Sequence, residues 1–422
     1  MMPTHVDAII VGAGPAGSTA AILLARAGWS VALVEKQRFP RRKVCGECIA
    51  ASNLPLLDAL GVASAFADRA GPALRRVALM QGPTTLVADL PAADDPQHAW
   101  GRALGRETLD SLLLDQARRA GARVLQPWSV QSLMGEAGDQ RCTLRDTESG
   151  LCRVLHAPVA ILAHGSWEPL PDARAQQRLH RRGSDLFAFK ANFRGASLAP
   201  GLLPVLCFAG GYGGMVVADQ GLTTLACCIR ADRLQALRRA APGQAAGDVV
   251  EAMLRRECHG VGQALRAARR DGAWLASGPI APGVRLRCGE PAFRIGNATG
   301  EAHPIIGEGI SMAMQSAWLL CAHLLSADHK RGDAAAAAWH AEVQRRYAAD
   351  WRRHFNGRLR LASVFAHLAM RPSLSTSLVS MLGRWPGLLT WGARWGGKVR
   401  CAPDPATIAW LASGTAAQRP AT

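Results

Sequence analysis

The sequence predicts an α/β protein: a Rossmann-like domain with a parallel sheet, interleaved with an antiparallel-sheet domain and followed by a helical C-terminal segment. Three observations predict it. A glycine-rich turn sits between a short apolar strand and an Ala-rich helix at the amino terminus, a second glycine-rich loop precedes an apolar helix near residue 310, and strand-like apolar runs lie between them. At 422 residues and 49% hydrophobic composition, the chain has room for two or three domains.

Val6 to Val11 is a continuous apolar run, the pattern of a strand buried on both faces of a parallel sheet. GAGPAG follows directly, with Gly12, Gly14, Pro15, Ala16 and Gly17, and Pro15 to Ala27 reads as a helix stopped by Gly28. Gly12 serves the tight turn, Gly14 lets backbone approach a pyrophosphate, and Gly17 lets helix pack close on strand. The helix amino terminus offers free N–H groups to the phosphates. A second strand, Ser30 to Val34, ends at Glu35, near the ~20 residues expected before an acidic group that holds an adenosine ribose, with Lys36 beside it. Strand, turn and helix in this order predict a bound dinucleotide. Spacing alone leaves FAD and a nicotinamide cofactor both open.

Downstream, FRIGNATGEAHPIIGEGISMAMQSAWLL opens with a strand at Phe293 to Ile295 and closes in an apolar helix from about Ile310. Its loop is built around Gly296, Pro304, Gly307 and Gly309. Here the sequence resembles the geranylgeranyl reductase family, within the flavoproteins of para-hydroxybenzoate hydroxylase fold, over most of residues 1 to 330. The resemblance implies FAD as cofactor and NAD(P)H as reductant. It implies that Gly296 and Asn297, standing where the family has Gly-Asp, touch the ribityl and pyrophosphate portion. It implies also that Pro304, Gly307, Glu308, Gly309 and Ile310 present backbone to the isoalloxazine ring. FPRRKVCGEC (39 to 48) resembles the family's Phe-Pro-Arg-x-Lys-x-Cys-Gly segment, which implies that Arg41 and Gly46 help hold the cofactor and that Cys45 sits near the flavin. Arg106 and Asp110 fall where such flavoproteins open a helix with Arg and Asp, and that Arg is commonly a flavin contact. DLFAFKANF (185 to 193) and FAGGYGGMV (208 to 216) look like substrate-domain strands and a loop lining the pocket, and the strand-like LTTLACCIR (222 to 230) is expected in a sheet domain covering the flavin.

The sequence departs from its relatives in places. His164 in ILAHGSW replaces an Asp of the hydroxylases, the tryptophan-rich isoprenoid pattern of the reductases is missing, and no halogenase-type Trp-x-Trp-x-Ile-Pro segment is present. Cys45, His303 and Glu308 are the candidate catalytic residues: a flavin-proximal thiol, a loop imidazole able to donate or orient, and a carboxylate between two loop glycines. Cys45 and Cys48 form a C-x-x-C pair, but no second pair lies at zinc-ribbon spacing and no metal site is expected.

The flavin domain is expected to be discontinuous, from 1–75, 100–170 and 277–330, with the substrate domain at 76–99 and 171–276 and a helical segment at 331–422. Eleven cysteines, an odd number spread along the chain behind no secretion signal, predict reduced thiols and a cytoplasmic location. Apolar runs stay well short of the ~18 residues of a bilayer span. The charge of +17 comes from scattered arginines, and without a motif or aromatic platform no nucleic acid is expected as a partner. From Arg371 to Arg400 there are five basic residues and no acidic one, interleaved with Leu378, Val379, Leu382, Trp385, Leu388, Leu389, Trp391 and Trp395. That pattern fits a helical lid or a segment lying on an anionic membrane surface.

The expected function is NAD(P)H-driven oxidoreduction of a small apolar substrate, isoprenoid, lipid-like or polyketide, by reduction of a carbon-carbon double bond. Two alternatives stand beside it: a flavin monooxygenase that hydroxylates or epoxidises, and a nucleotide-binding membrane-surface protein without turnover.

Overall fold

Three short strands whose every residue is buried, Ala8–Val11, Val31–Val34 and Val159–Leu162, form the middle of a five-stranded parallel sheet. Phe293–Arg294 closes one edge and Arg123–Leu125 the other. The computed structural model describes residues 4–166, 182–326, 333–385, 387–394, 398–399 and 401–414. The expected boundaries at 170–171 and 330–331, the side chain of Leu378, and Trp395 and Arg400 lie outside what it describes.

Helix Pro15–Arg26 follows the first strand and ends where Gly28 turns to φ +86°, a conformation that costs glycine little. It packs in one apolar cluster with Arg106–Arg119 and Gly309–Ser326. A three-stranded antiparallel sheet, Trp128–Glu136, Asp139–Asp146 and Cys152–Ala157, covers the other face through Leu144 and Leu155.

A larger, mostly antiparallel sheet is built from Leu186–Arg194, Leu222–Arg230, Gly211–Ala218, Leu202–Phe208, Arg76–Gln81 and Thr84–Asp89 in that spatial order. Arg269–Arg270 and Leu275–Ile280 also pair with Leu186–Arg194, the latter strand straddling the expected boundary at 276–277. The glycine-rich FAGGYGGMV is therefore the turn and second strand of a hairpin, Phe208 pairing with Gly211. Alternation sorts the two faces: Phe189, Phe193, Leu225 and Met215 pack under helix Ala246–Glu257, whereas Leu186, Ala188, Tyr212 and Cys228 look inward.

Helix Asp333–Ala369 ties the two layers together. Trp339, Val343, Tyr347, Trp351, Phe355 and Leu359 recur every fourth residue, one stripe, and bury in the cluster of the parallel-sheet domain. The same helix ends with Ala366 and Ala369 against the inward face of the large sheet, joined there by Val379 and Leu382 of helix Pro372–Arg384.

Candidate flavin site

Gly12 leaves the first strand at φ +102°, and a Cβ there would stand 2.7 Å from the Ala163 carbonyl oxygen. Only glycine fits that turn. A Cβ on Gly17 would run into the Gly12 carbonyl, so helix and turn lie at their closest approach. Gly14 caps the helix, Pro15 takes its first position, where no N–H is needed, and Ala16 is buried. At the end of the second strand the buried Glu35 accepts from the Ala13 and Gln37 N–H groups, each at 3.0 Å. Lys36 beside it is half-buried.

Two guanidinium groups gather beside this turn. Arg106 opens its helix and donates from Nε and Nη2 to both oxygens of Asp110, each at 2.7 Å. Burial works against its charge, but the Asp110 carboxylate outweighs that and the pKa is raised, so the cation is kept. A Cβ on Gly14 would lie 3.6 Å from Arg106 Nη2, which puts that cation at the glycine turn. Arg41 stacks over Phe39 at 4.7 Å and lies 3.7 Å from Glu35 and 3.6 Å from Asp110. Its Nε is buried without a hydrogen-bond partner, a donor still to be satisfied.

The distant glycine loop reaches the same place. Gly296, at φ +61°, donates its N–H to Ser316 Oγ at 2.8 Å, and a Cβ there would stand 3.1 Å from that of Ala16. Asn297 donates from Nδ2 to Ser166 Oγ at 2.8 Å. Pro304 begins a short 3-10 turn that ends at Gly307 in the left-handed region, where a Cβ would lie 3.5 Å from Cys48 Cβ. Gly309 then starts the apolar helix, with Ile310 buried behind it. A Cβ on Gly46 or Gly309 would meet nothing within 4 Å, so both glycines border open space. Cys45 is half-buried beside Arg106, its sulfur accepting from the Glu47 N–H at 3.4 Å. The segments at 12–17, 41–48, 106–110 and 296–310 thus converge.

His303 and Glu308 lie on this loop with partners that sequence alone does not show. The Glu308 carboxylate is fully buried and Lys398 Nζ lies 3.4 Å from it. Burial raises its pKa, with Lys398 opposing. His303 Nδ1 meets the hydroxyl of the buried Tyr212 at 3.0 Å, and burial, with His367 nearby, lowers the ring's pKa to about 4. Burial lifts the Tyr212 pKa well above its ordinary value, so the hydroxyl keeps its proton. The hydroxyl can donate to Nδ1, which puts the neutral ring's N–H on Nε2, or accept from Nδ1–H in the other tautomer.

A third network was hidden in an apolar strand and between two cysteines. Glu47, at φ +59°, accepts from Lys190 Nζ, from the Thr224 hydroxyl and, at 3.0 Å, from the Arg106 N–H. Glu47 and Lys190 are both buried. The one sequence signal is Lys190 itself, on the same face as Leu186 and Ala188 in an otherwise apolar run. Across the sheet Lys190 pairs with Ala226 and Ala226 with Gly214, both only half-buried in the middle of the inward face. Among the described residues no group of three or more His, Cys, Asp and Glu could hold a metal ion.

The His303 pKa has a consequence for stability, shared by His340, which burial also lowers to about 4. Folded values below the ordinary 6.5 mean that the unfolded chain binds protons more tightly. The two rings therefore contribute stability that is complete above pH 6.5 and lost as pH falls toward 4. The melting temperature is expected to fall across that window, and His340→Phe to flatten the fall.

A nucleotide-binding parallel sheet roofed by an antiparallel one, with glycine loops meeting between them, defines an FAD-binding fold. The family model described as an FAD binding domain matches residues 5–353, and the chain belongs to that family of flavin-dependent enzymes. Among curated proteins, a menaquinone reductase of Mycobacterium tuberculosis is 33% identical over 178 residues, 42% of this chain and 41% of that protein. A tryptophan 2-halogenase of Chondromyces crocatus is 33% identical over 132 residues, 31% of this chain and 24% of the relative. The matched stretches span less than half the length of either. Among solved structures, the flavin-dependent brominase Bmp2 superposes with a TM-score of 0.73 at 17% identity, covering 97% of both chains. The probable FAD-dependent monooxygenase pqsL of Pseudomonas aeruginosa gives 0.66 at 17% identity, over 89% of this chain and 100% of the other. These likenesses show the fold.

Proposed function

We propose that the chain is an NAD(P)H-driven oxidoreductase that reduces a carbon-carbon double bond, conjugated with a carbonyl, in an apolar substrate. The observation that carries this is the Tyr212–His303 pair, a neutral imidazole in contact with a buried hydroxyl on the loop beside the ring site; with Tyr212 as donor its N–H is on Nε2. FAD, when bound, supplies the electrons. The residues present fit it: the unsatisfied Arg41 Nε, the Gly12 turn that no side chain could enter, and the two cations at the phosphate position suit a diphosphate.

In this assignment the turn at Gly12, Gly14, Pro15, Ala16 and Gly17 holds the diphosphate with Arg41 and Arg106, while Glu35 and Lys36 border the adenosine. Gly46, Gly296, Asn297, Pro304, Gly307, Gly309 and Ile310 supply the surfaces around ribityl and ring. The amino terminus of helix Gly309–Ser326 favours negative charge there. Glu308, paired with Lys398, orients the glycine turn, and Cys45 borders the ring beside Arg106. His303 donates from Nε2 to the substrate carbonyl, and Tyr212 is the positioning residue that fixes its tautomer. The small, half-buried Ala226 and Gly214 would border the substrate on the inward sheet face.

The menaquinone reductase match favours reduction of this kind of substrate. A 6-methylpretetramide 4-monooxygenase of Streptomyces rimosus, 48% identical over 58 residues, favours oxygenation as the second reading. Anaerobic mixing separates them: flavin reduced by NADPH is expected to be reoxidised by a polyprenyl enone without oxygen, the product having gained two hydrogens across the double bond. Reoxidation only by oxygen, with a product that has gained an oxygen atom, would establish the second.

His303→Ala is expected to lower kcat about 100-fold with KM little changed. His303→Gln, whose amide N–H reaches the Nε2 position, keeps part of the rate, and Tyr212→Phe falls between the two. Steady-state rates at matched flavin content check this, and wild-type rates in all three variants would remove His303 from the chemistry.

A further inference from the structure

Among the described residues, the carboxy-terminal helices present an exposed apolar side. Helix Pro372–Arg384 buries Val379 and Leu382 against the large sheet. On another side Leu374, Met381 and Trp385 follow at i, i+7 and i+11, one stripe, and stand 41%, 40% and 61% exposed. Helix Gly387–Ala393 continues it with Leu388 and Trp391, 41% and 57% exposed, while Gly392 packs on Phe365 and Leu389 turns inward. Five of the ten exposed large hydrophobic residues among those described thus fall within 18 consecutive positions. That concentration sets this surface apart from scattered exposed apolar side chains.

We propose that this surface rests on an anionic bilayer, with Trp385 and Trp391 at headgroup level and Arg371 and Arg384 against lipid phosphates. Tryptophan suits the interface because one end of the indole is apolar and its N–H is not. Arg371, Arg384 and Arg394 are exposed, Arg394 lying 3.9 Å from the exposed Asp94, and residues 371 to 400 contain no acid. That charge argues for an anionic lipid surface over a second copy. A two-fold contact through the same surface would set these arginines against their own counterparts with no carboxylate of the segment to meet them. Among the described residues no helix is long and apolar enough to cross a membrane, so the contact is lateral. The inward sides of these helices reach the clusters that contain Tyr212 and Cys48, so a lipid-dissolved substrate would have a short path inward.

The test is co-sedimentation of the flavin-loaded chain with vesicles of phosphatidylcholine alone or mixed with phosphatidylglycerol. The wild-type chain is expected to pellet with the anionic vesicles and to leave them at high salt. Trp385→Ser/Trp391→Ser is expected to partition at least about tenfold less, and Arg371→Gln/Arg384→Gln about fivefold less for each charge removed. All of these side chains are exposed, so flavin content and melting temperature should hold. If the tryptophan variant misfolds, the arginine variant decides. The proposal is overturned if wild-type protein stays in solution with anionic vesicles at low salt, or if folded variants pellet as it does. It is equally overturned if sedimentation reveals a dimer that the tryptophan variant dissociates, because a second copy would then cover the surface. None of these outcomes bears on whether the chain binds FAD.

Discussion

Gly12→Ala is expected to purify with almost no FAD and to bind added FAD at least about 100-fold more weakly. At φ +102° the alanine is strained by about 1–2 kcal/mol. Its Cβ would stand 2.7 Å from the Ala163 carbonyl oxygen, so strand and turn must separate by several tenths of an ångström. The turn then no longer aims its amides at one point, and positioning errors of that size are costly at a phosphate site. Flavin-to-protein ratio and FAD titration measure the loss, with far-UV circular dichroism reporting whether the sheet survives. Wild-type affinity in this variant would mean that the turn does not hold the diphosphate.

Lys190→Met is expected to remove about 3–5 kcal/mol of folding stability, because it leaves Glu47 buried without its cation. The damage should not stop at the pair. Glu47 is held at φ +59° by Lys190, Thr224 and the Arg106 N–H, so loosening it frees the cofactor loop from both the sheet and the Arg106 helix. Removing both charges with Glu47→Leu/Lys190→Met should recover much of the loss, since two apolar side chains can replace a buried ion pair at little cost. Denaturant midpoints at saturating FAD measure this. A single variant as stable as wild type would show that water reaches the pair.

What was legible in the sequence is what local chemistry dictates. The strand-turn-helix at 8–26, with Glu35 at the end of the next strand, and the strand, loop and helix at 293–326 lie within a residue or two of expectation. Buried apolar runs and glycines with positive φ leave the backbone few choices there. The contacts that make a site are another matter. Lys190 reaches Glu47 across 143 residues and Tyr212 reaches His303 across 91. Nothing near Glu47 in the sequence, where it stands between Cys45 and Cys48, marks it as an acceptor for three donors. Lys398 likewise meets Glu308 only because the chain returns over the glycine loop. The carboxy-terminal pattern reads as a lid or a membrane face because it supplies apolar side chains for both: Val379 and Leu382 inward, Trp385 and Trp391 outward.

The most direct measurement is the amount of FAD released on denaturing the protein after incubation with the cofactor and gel filtration. About one FAD per chain is expected, with Arg106→Ala and Gly12→Ala both far below it. A folded chain that stays colourless and retains no FAD after that treatment would contradict the site assembled from the turn at Gly12, the two arginines and the loop at Gly296–Ile310.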